Sequence, residues 1–351
     1  MNQNRLKNIQ RYKIDHFSRL KKIRLDKNEI NTSHESFTSK LKKKIKIDIF
    51  NSYPETGEIY KKLSNKHKIN EKQILLTSGI DGGIRHCFEL FLNPGHNVMT
   101  LEPTYAMIDV YCGIFGIKKI QIKYDKNLNL DYAKILKKIN KKIKLIILAN
   151  PNSPTGTIIS KNNLIKILNK SKKLKIPVLI DEAYYGFCKT TSLPLLKRFK
   201  NLIIARTFSK AYGIAGLRAG YLISNLNFAK NFYKLKPMYE INSLAVLAIN
   251  ILLDNPEIRN NYIKEARYGE SRLINFANKN KIFYKKTHAN FFLMKINKNH
   301  KKLVSYLKEK NILIKNFPKN HILNNYIRVS LASKAKIESF IKEVKKSNLL
   351  I

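Results

Sequence analysis

Short apolar runs recur through the first two thirds of the chain, at 74–77, 97–101, 145–148, 178–180 and 202–205, each of a length suited to a buried strand. Residues 120–124 alternate apolar and polar side chains, as a half-exposed strand does. Between most of these runs lie stretches with helical periodicity, such as 163–174. Strands that alternate with helices imply a parallel sheet, because parallel neighbours need a crossover connection. The expected class is therefore α/β, with a mostly parallel, doubly wound sheet. Sheets of this kind bind ligands in the loops at the carboxyl ends of their strands.

Beyond about residue 235 the pattern changes. A long helical region over 237–278 leads to β-like pieces at 291–295, 312–314 and 326–331, and then to a terminal helix over 334–346. This reads as a smaller α/β domain. The expected division is an N-terminal segment over 1–45 that packs on the small domain or on a partner subunit, a large domain over 46–240 and a small domain over 241–351.

The charge balance poses a separate question. The chain has 351 residues and carries 68 Lys and Arg against 24 Asp and Glu, a formal net charge of +44. Such a balance is the footprint of a nucleic-acid-binding protein. A binder concentrates its cations on one face, whereas these lysines run from Lys7 to Lys346, amid much Ile and Asn. That spread fits a compositional bias, and neither zinc-finger spacing nor a basic-leucine repeat accompanies it. The three cysteines, Cys87, Cys112 and Cys188, contain no CxxC pair, so a reducing cytoplasm is expected. The basic N-terminus lacks the apolar core of a signal peptide, and the apolar stretch 244–253 is too short to span a bilayer.

The chemistry lies just after the strands. The run 145–148 ends in Ala149-Asn150-Pro151-Asn152-Ser153-Pro154-Thr155-Gly156, a rigid non-helical turn that offers the Asn152 amide; a plain strand-to-helix turn would read the same way. The run 178–180 ends in Asp181-Glu182-Ala183-Tyr184. A carboxylate directly after an apolar run is partly buried and needs a partner. Asp181 could be a metal ligand, a helix cap or the partner of a protonated ligand nitrogen, and the eight histidines show no i,i+4 pair to support the metal. The run 202–205 ends in Arg206-Thr207-Phe208-Ser209-Lys210, with Gly213, Gly216 and Gly220 following and Arg218 eight residues past Lys210. Hydroxyls with an arginine make a phosphate clamp, and glycines let backbone approach a ligand. A dinucleotide site is the rival, but no GxGxxG is present. Asn152, Asp181 and Lys210 are spaced 29 residues apart, about one βα unit each, so they can converge at one end of the sheet. An amide, a buried carboxylate and a lysine beside a phosphate clamp are what pyridoxal 5′-phosphate requires.

At these residues the sequence resembles the class I/II, fold-type I aminotransferases, and is most similar to the histidinol-phosphate aminotransferase branch. The resemblance covers about residues 24–345 and rests on NPNSPTG, DEAY and TFSKAYGIAGLRAGY in that order. It implies a large domain with a doubly wound sheet plus a smaller α/β domain. It also implies that Lys210 bonds the cofactor and carries the proton, that Asp181 pairs with the pyridinium nitrogen, and that Asn152 and Tyr184 hydrogen-bond the ring oxygen. Thr207, Ser209 and Arg218 would hold the phosphate with the backbone N–H groups of Gly79, Ile80 and Asp81, and Tyr105 would stack on the ring. Tyr53 resembles the tyrosine that reaches the neighbouring subunit's cofactor, which implies a homodimer. Arg328 matches the arginine that grips the substrate carboxylate.

Three departures stand out. Ser153 replaces the usual Asn before PTG, which makes Asn152 the nearest amide. Gly79-Ile80-Asp81-Gly82 replaces Gly-Ser-Asp-Glu, and Asn28-Glu29-Ile30-Asn31 replaces Asn-Glu-Asn-Pro in a segment bordering the substrate, where Asn28 is a candidate contact. The expected activity is transfer of an amino group between an amino donor, best L-histidinol phosphate, and a 2-oxo acid such as 2-oxoglutarate. A decarboxylase similar to threonine-phosphate decarboxylase, an aminotransferase for another small substrate and a basic nucleic-acid-binding protein are the alternatives.

Overall fold

The computed structural model describes residues 9, 18–30, 35–296 and 299–350. The expected position Asn31 and residues 1–8, 10–17 and 32–34 of the N-terminal segment lie outside them. The first strand, β1 (Ile23–Leu25), belongs to the smaller of two sheets. The larger is built from β2 (Ile74–Thr77), β3 (Asn97–Glu102), β4 (Lys118–Lys123), β5 (Ile143–Ala149), β6 (Val178–Asp181), β7 (Leu202–Thr207) and β8 (Gly220–Ile223). Their order is β2-β8-β7-β6-β5-β3-β4. From β7 to β4 every pairing is parallel, and β8 alone runs antiparallel to both its neighbours.

The central strands are apolar throughout because both faces are covered. On β5, Ile146 and Leu148 face one core layer while Leu145 and Ile147 face the other; on β7, Ile204 and Ile203 divide in the same way. Each such side chain, fully removed from water, stabilises the fold by about 1.5–3 kcal/mol. The crossover helix Lys161–Lys173 starts where the Ser160 hydroxyl accepts from Asn163 N–H, and places Leu164, Ile167 and Leu168 against the sheet.

The smaller sheet adds β9 (Tyr284–Lys285), β10 (Phe291–Lys295), β11 (Ile312–Asn316) and β12 (Tyr326–Ser330), in the order β1-β11-β12-β10-β9. β1 pairs in parallel with β11, so the start of the chain is built into the small domain's sheet. The helical region expected over 237–278 is two helices, Ser243–Asp254 and Pro256–Lys279. The first buries Ala245, Ile249 and Leu252 in the large domain's core, and the second buries Ala266, Leu273 and Phe276 in the small domain's. The change of sequence texture near residue 235 thus precedes the change of core.

Candidate active site

A cavity of about 850 Å³ opens between the two sheets at the carboxyl ends of β5, β6 and β7. Its lining includes Asp181, Tyr184, Thr207, Ser209, Lys210 and Arg218 from the large domain, and Lys315 and Arg328 from the small one. Asn28 and Glu29 close one side.

Lys210 is the centre of this arrangement. Its ammonium donates to the carbonyl oxygens of Lys27 at 3.2 Å and Asn28 at 3.1 Å. Burial, reinforced by the charges of Arg328 and Arg218, lowers its pKa to about 8, within reach of the unprotonated amine that nucleophilic and proton-transfer chemistry needs. Asp181 shows the opposite displacement: burial pushes its carboxyl up to about 7, and the Ala183 N–H at 2.8 Å only partly offsets that. A buried carboxylate held this way favours a cationic ligand group against it. Glu182, the next residue, is satisfied separately by Arg206 at 2.9 Å; this arginine is almost wholly buried beneath the Tyr185 ring. Two consecutive carboxylates after an apolar run signal that a buried cation is needed for one of them, and Arg206, on the next strand, is that cation.

Around the mouth of the helix Gly79–Phe91, Gly79 adopts a left-handed φ of +68° and a Cβ there would lie 2.9 Å from the Arg218 guanidinium. Arg218 donates to Asp81 at 3.1 Å and reaches Ser209 Oγ at 3.5 Å. Ser209 N–H in turn donates to Thr207 Oγ1 at 3.0 Å. Gly220 lets β8 pass against this loop, since a Cβ on it would meet Gly79 C at 2.8 Å and Arg206 O at 2.7 Å. Backbone N–H groups, hydroxyls and a guanidinium therefore converge where a phosphate can be held. Tyr105 lines the same cavity and donates to Asp81 Oδ1 at 2.6 Å.

Arg328 approaches from β12. It is half-buried, donates to the Asp26 carbonyl at 2.7 Å, lies over the Phe291 ring, and its buried Nε has no hydrogen-bond partner among the described residues. Burial lowers its pKa. Such a guanidinium is poised for a bidentate anion.

Two expected residues lie elsewhere. The Asn152 amide, fully buried, donates to Pro103 O at 3.0 Å and Thr155 Oγ1 at 2.9 Å and accepts from Thr104 at 2.8 Å, so it braces the turn and does not line the cavity. Ser153 lines the cavity in its place. Tyr53 lies outside the cavity lining, 74% exposed and stacked on Tyr239 at 4.1 Å. Asn28 is more central than its sequence position indicates: its Nδ2 donates to the Tyr184 hydroxyl at 2.9 Å, and its Oδ1 accepts from Ser330.

The profile of a family described as "Aminotransferase class I and II" matches residues 21–344. The chain belongs to the class I and II aminotransferases. Histidinol-phosphate aminotransferase from Caldanaerobacter subterraneus is 34% identical over 83% of this chain and 82% of its own length. That from Clostridium novyi is 31% identical over 93% and 92%. Among solved structures, histidinol-phosphate aminotransferase from Clostridium acetobutylicum superposes with a TM-score of 0.81 at 25% identity, covering 93% of this chain and 98% of that one. The fold is shared more widely, as L-threonine-O-3-phosphate decarboxylase from Porphyromonas gingivalis also superposes, with a TM-score of 0.77 at 22% identity over 93% of this chain and 99% of that one.

As an aminotransferase of this family the protein is a pyridoxal-phosphate enzyme, and the residues present fit the group. Asp181 offers a buried carboxylate that the Ala183 N–H only partly compensates, Lys210 a half-buried amine of lowered pKa, and Gly79 with Arg218 a cradle that a Cβ would fill. Among the described residues no helix is long and apolar enough to cross a membrane, and no group of three or more His, Cys, Asp or Glu could hold a metal.

Proposed function

We propose that the chain transfers the amino group of a phosphorylated amine, best L-histidinol phosphate, to a 2-oxo acid such as 2-oxoglutarate, and that it works as a cytoplasmic homodimer. The observation that carries this reading is the meeting of Lys210, Asp181 and Arg328 in one cavity from three separate strands or loops. The relatives at 31% and 34% identity, both histidinol-phosphate aminotransferases, support the donor. Lys27 and Lys315 at the mouth favour an anionic substrate, whereas Arg19 and Arg24 there are ion-paired with Asp26 and Glu29. Three free, buried cysteines agree with a reducing compartment. The exposed Tyr53, among the exposed apolar side chains Ile47, Phe50, Met238 and Tyr239, agrees with a face covered by a second subunit.

The bound cofactor supplies an aldehyde carbon for the amine and a ring that takes up the electrons released at the substrate Cα. The Asp181 carboxylate would hold the ring nitrogen protonated. The Tyr184 hydroxyl, fixed by Asn28, would hold the ring oxygen. Thr207, Ser209, Arg218 and the N–H groups of Gly79, Ile80 and Asp81 would hold the phosphate. Arg328 would orient the donor's phosphate-bearing arm or the acceptor's carboxylate. Lys210 Nζ, as an unprotonated amine, would take the proton from Cα. Purified protein mixed with single amino donors and acceptors, followed by the cofactor's visible absorbance, tests the reading: L-histidinol phosphate and 2-oxoglutarate should be the best pair.

A further inference from the structure

The Thr77–Ser78 peptide, just before the chain turns into the helix that offers its N-terminus to the cavity, is held from outside the loop. Ser78 is the N-cap of that helix, yet its own side chain makes no capping bond. Its N–H donates instead to Glu240 Oε1 at 2.9 Å, across 162 residues of sequence. Glu240 lies just before the helix Ser243–Asp254, and its side chain is only 7% exposed.

Two further features keep the carboxylate there. Its other oxygen, Oε2, lies 3.2 Å from His86 Nε2, while His86 Nδ1 lies 3.0 Å from Glu89, itself paired with Arg85. Burial opposes charge on His86, but the hydrogen bonds to Glu240 and Glu89 outweigh it and raise its pKa. The second feature is an absence of side chain: a Cβ on Gly82 would fall 2.9 Å from Glu240 Oε1. Gly82 is the position where the Gly-Ser-Asp-Glu pattern loses its acid, and the carboxylate of Glu240 occupies the space above it. On the inner side the same loop is fixed by the Thr77 hydroxyl, which donates to Gly79 O at 2.7 Å.

We infer that Glu240 is a positioning residue for the phosphate-binding end of the site, clamping the Thr77–Ser78 peptide over the bare Cα of Gly82 and held in turn by His86. The inference rests on the reading of Gly79–Asp81 as the phosphate cradle. Glu89, on the other ring nitrogen, continues to favour a charged His86 when Glu240 is removed. What Glu240 contributes is the placement of the loop's N–H groups, which a ligand without a phosphate does not use.

That distinction is measurable. Apo-protein is titrated with pyridoxal 5′-phosphate and, separately, with pyridoxal, which lacks the phosphate. For Glu240→Ala we expect affinity for pyridoxal phosphate to fall about tenfold, the scale of a lost charge-assisted cap, with pyridoxal affinity changed less than about twofold. Glu240→Gln keeps the acceptor and should retain most of the affinity. Gly82→Ala, which suits the helix but forces the carboxylate away, should reproduce the phosphate-selective loss. Equal losses for both ligands, or none, in Glu240→Ala and Gly82→Ala would overturn the inference. Wild-type protein that binds neither ligand would instead overturn the cofactor assignment on which it rests.

Discussion

The Lys210 ammonium lies 3.1 Å from the carbonyl oxygen of Asn28, a residue 182 positions earlier in the chain. Asn28 sits in the left-handed region with φ +55°, buried, and its side chain joins Tyr184 of the large domain to Ser330 of the small one. Asp26, two residues before, receives Arg328. A short N-terminal stretch thus bridges Lys210, Tyr184 and Arg328. Asparagine tolerates this backbone better than most residues. We predict that Asn28→Ala loses two buried hydrogen bonds and adopts a strained φ, destabilising the protein by about 2–4 kcal/mol; thermal melting and turnover should fall together.

Asp181 carries a cost in the ligand-free protein. Its pKa is about 7 when folded against an unfolded value near 3.8. As pH rises through that window the unfolded chain gives up its proton first, so stability falls with pH and levels off above about 7. Asp181→Asn removes the cost. At pH 8 the ligand-free variant should melt about 2 °C or more above wild type, while turnover falls by orders of magnitude, because an amide cannot hold a ring nitrogen protonated. A variant that melts lower, or turns over normally, would contradict the assignment.

Lys210 titrates near 8. The amine attacks only when unprotonated, so the rate at which apo-protein captures pyridoxal phosphate should rise with pH and level off above about 8. Stopped-flow absorbance across pH 6–10 measures this; a profile still climbing at the same slope near pH 10 would indicate an ordinary exposed lysine.

The Glu182–Arg206 pair ties the ends of β6 and β7 together beneath the site. Removing one partner strands a buried charge. Arg206→Met should cost about 3–5 kcal/mol, and Glu182→Gln added to it should recover part of that loss. Denaturant unfolding of the single and double variants decides the point.

Much of this architecture is legible in the sequence because the central strands are buried on both faces and read as unbroken apolar runs. The terminal helix at 334–346 and β10 were equally plain from their periodicity. β8 was hidden: four residues led by a glycine, directly after the glycine-rich loop, read as more loop. β1 was hidden by its basic surroundings, and only its pairing with β11, nearly 300 residues later, makes it a strand. At the site, the choice between Asn152 and Ser153 turns on one residue of backbone direction. Asn152 is consumed by Pro103, Thr104 and Thr155, contacts that no local pattern reveals. Glu240 lies beyond the range of any motif.

The most direct measurement is the visible spectrum of purified, pyridoxal-phosphate-loaded protein on addition of L-histidinol phosphate. We predict a yellow band that the amine bleaches and 2-oxoglutarate restores, with Lys210→Ala showing no such cycle. A band that L-histidinol phosphate leaves unchanged, or that only threonine phosphate alters with release of carbon dioxide, would contradict the proposed reaction.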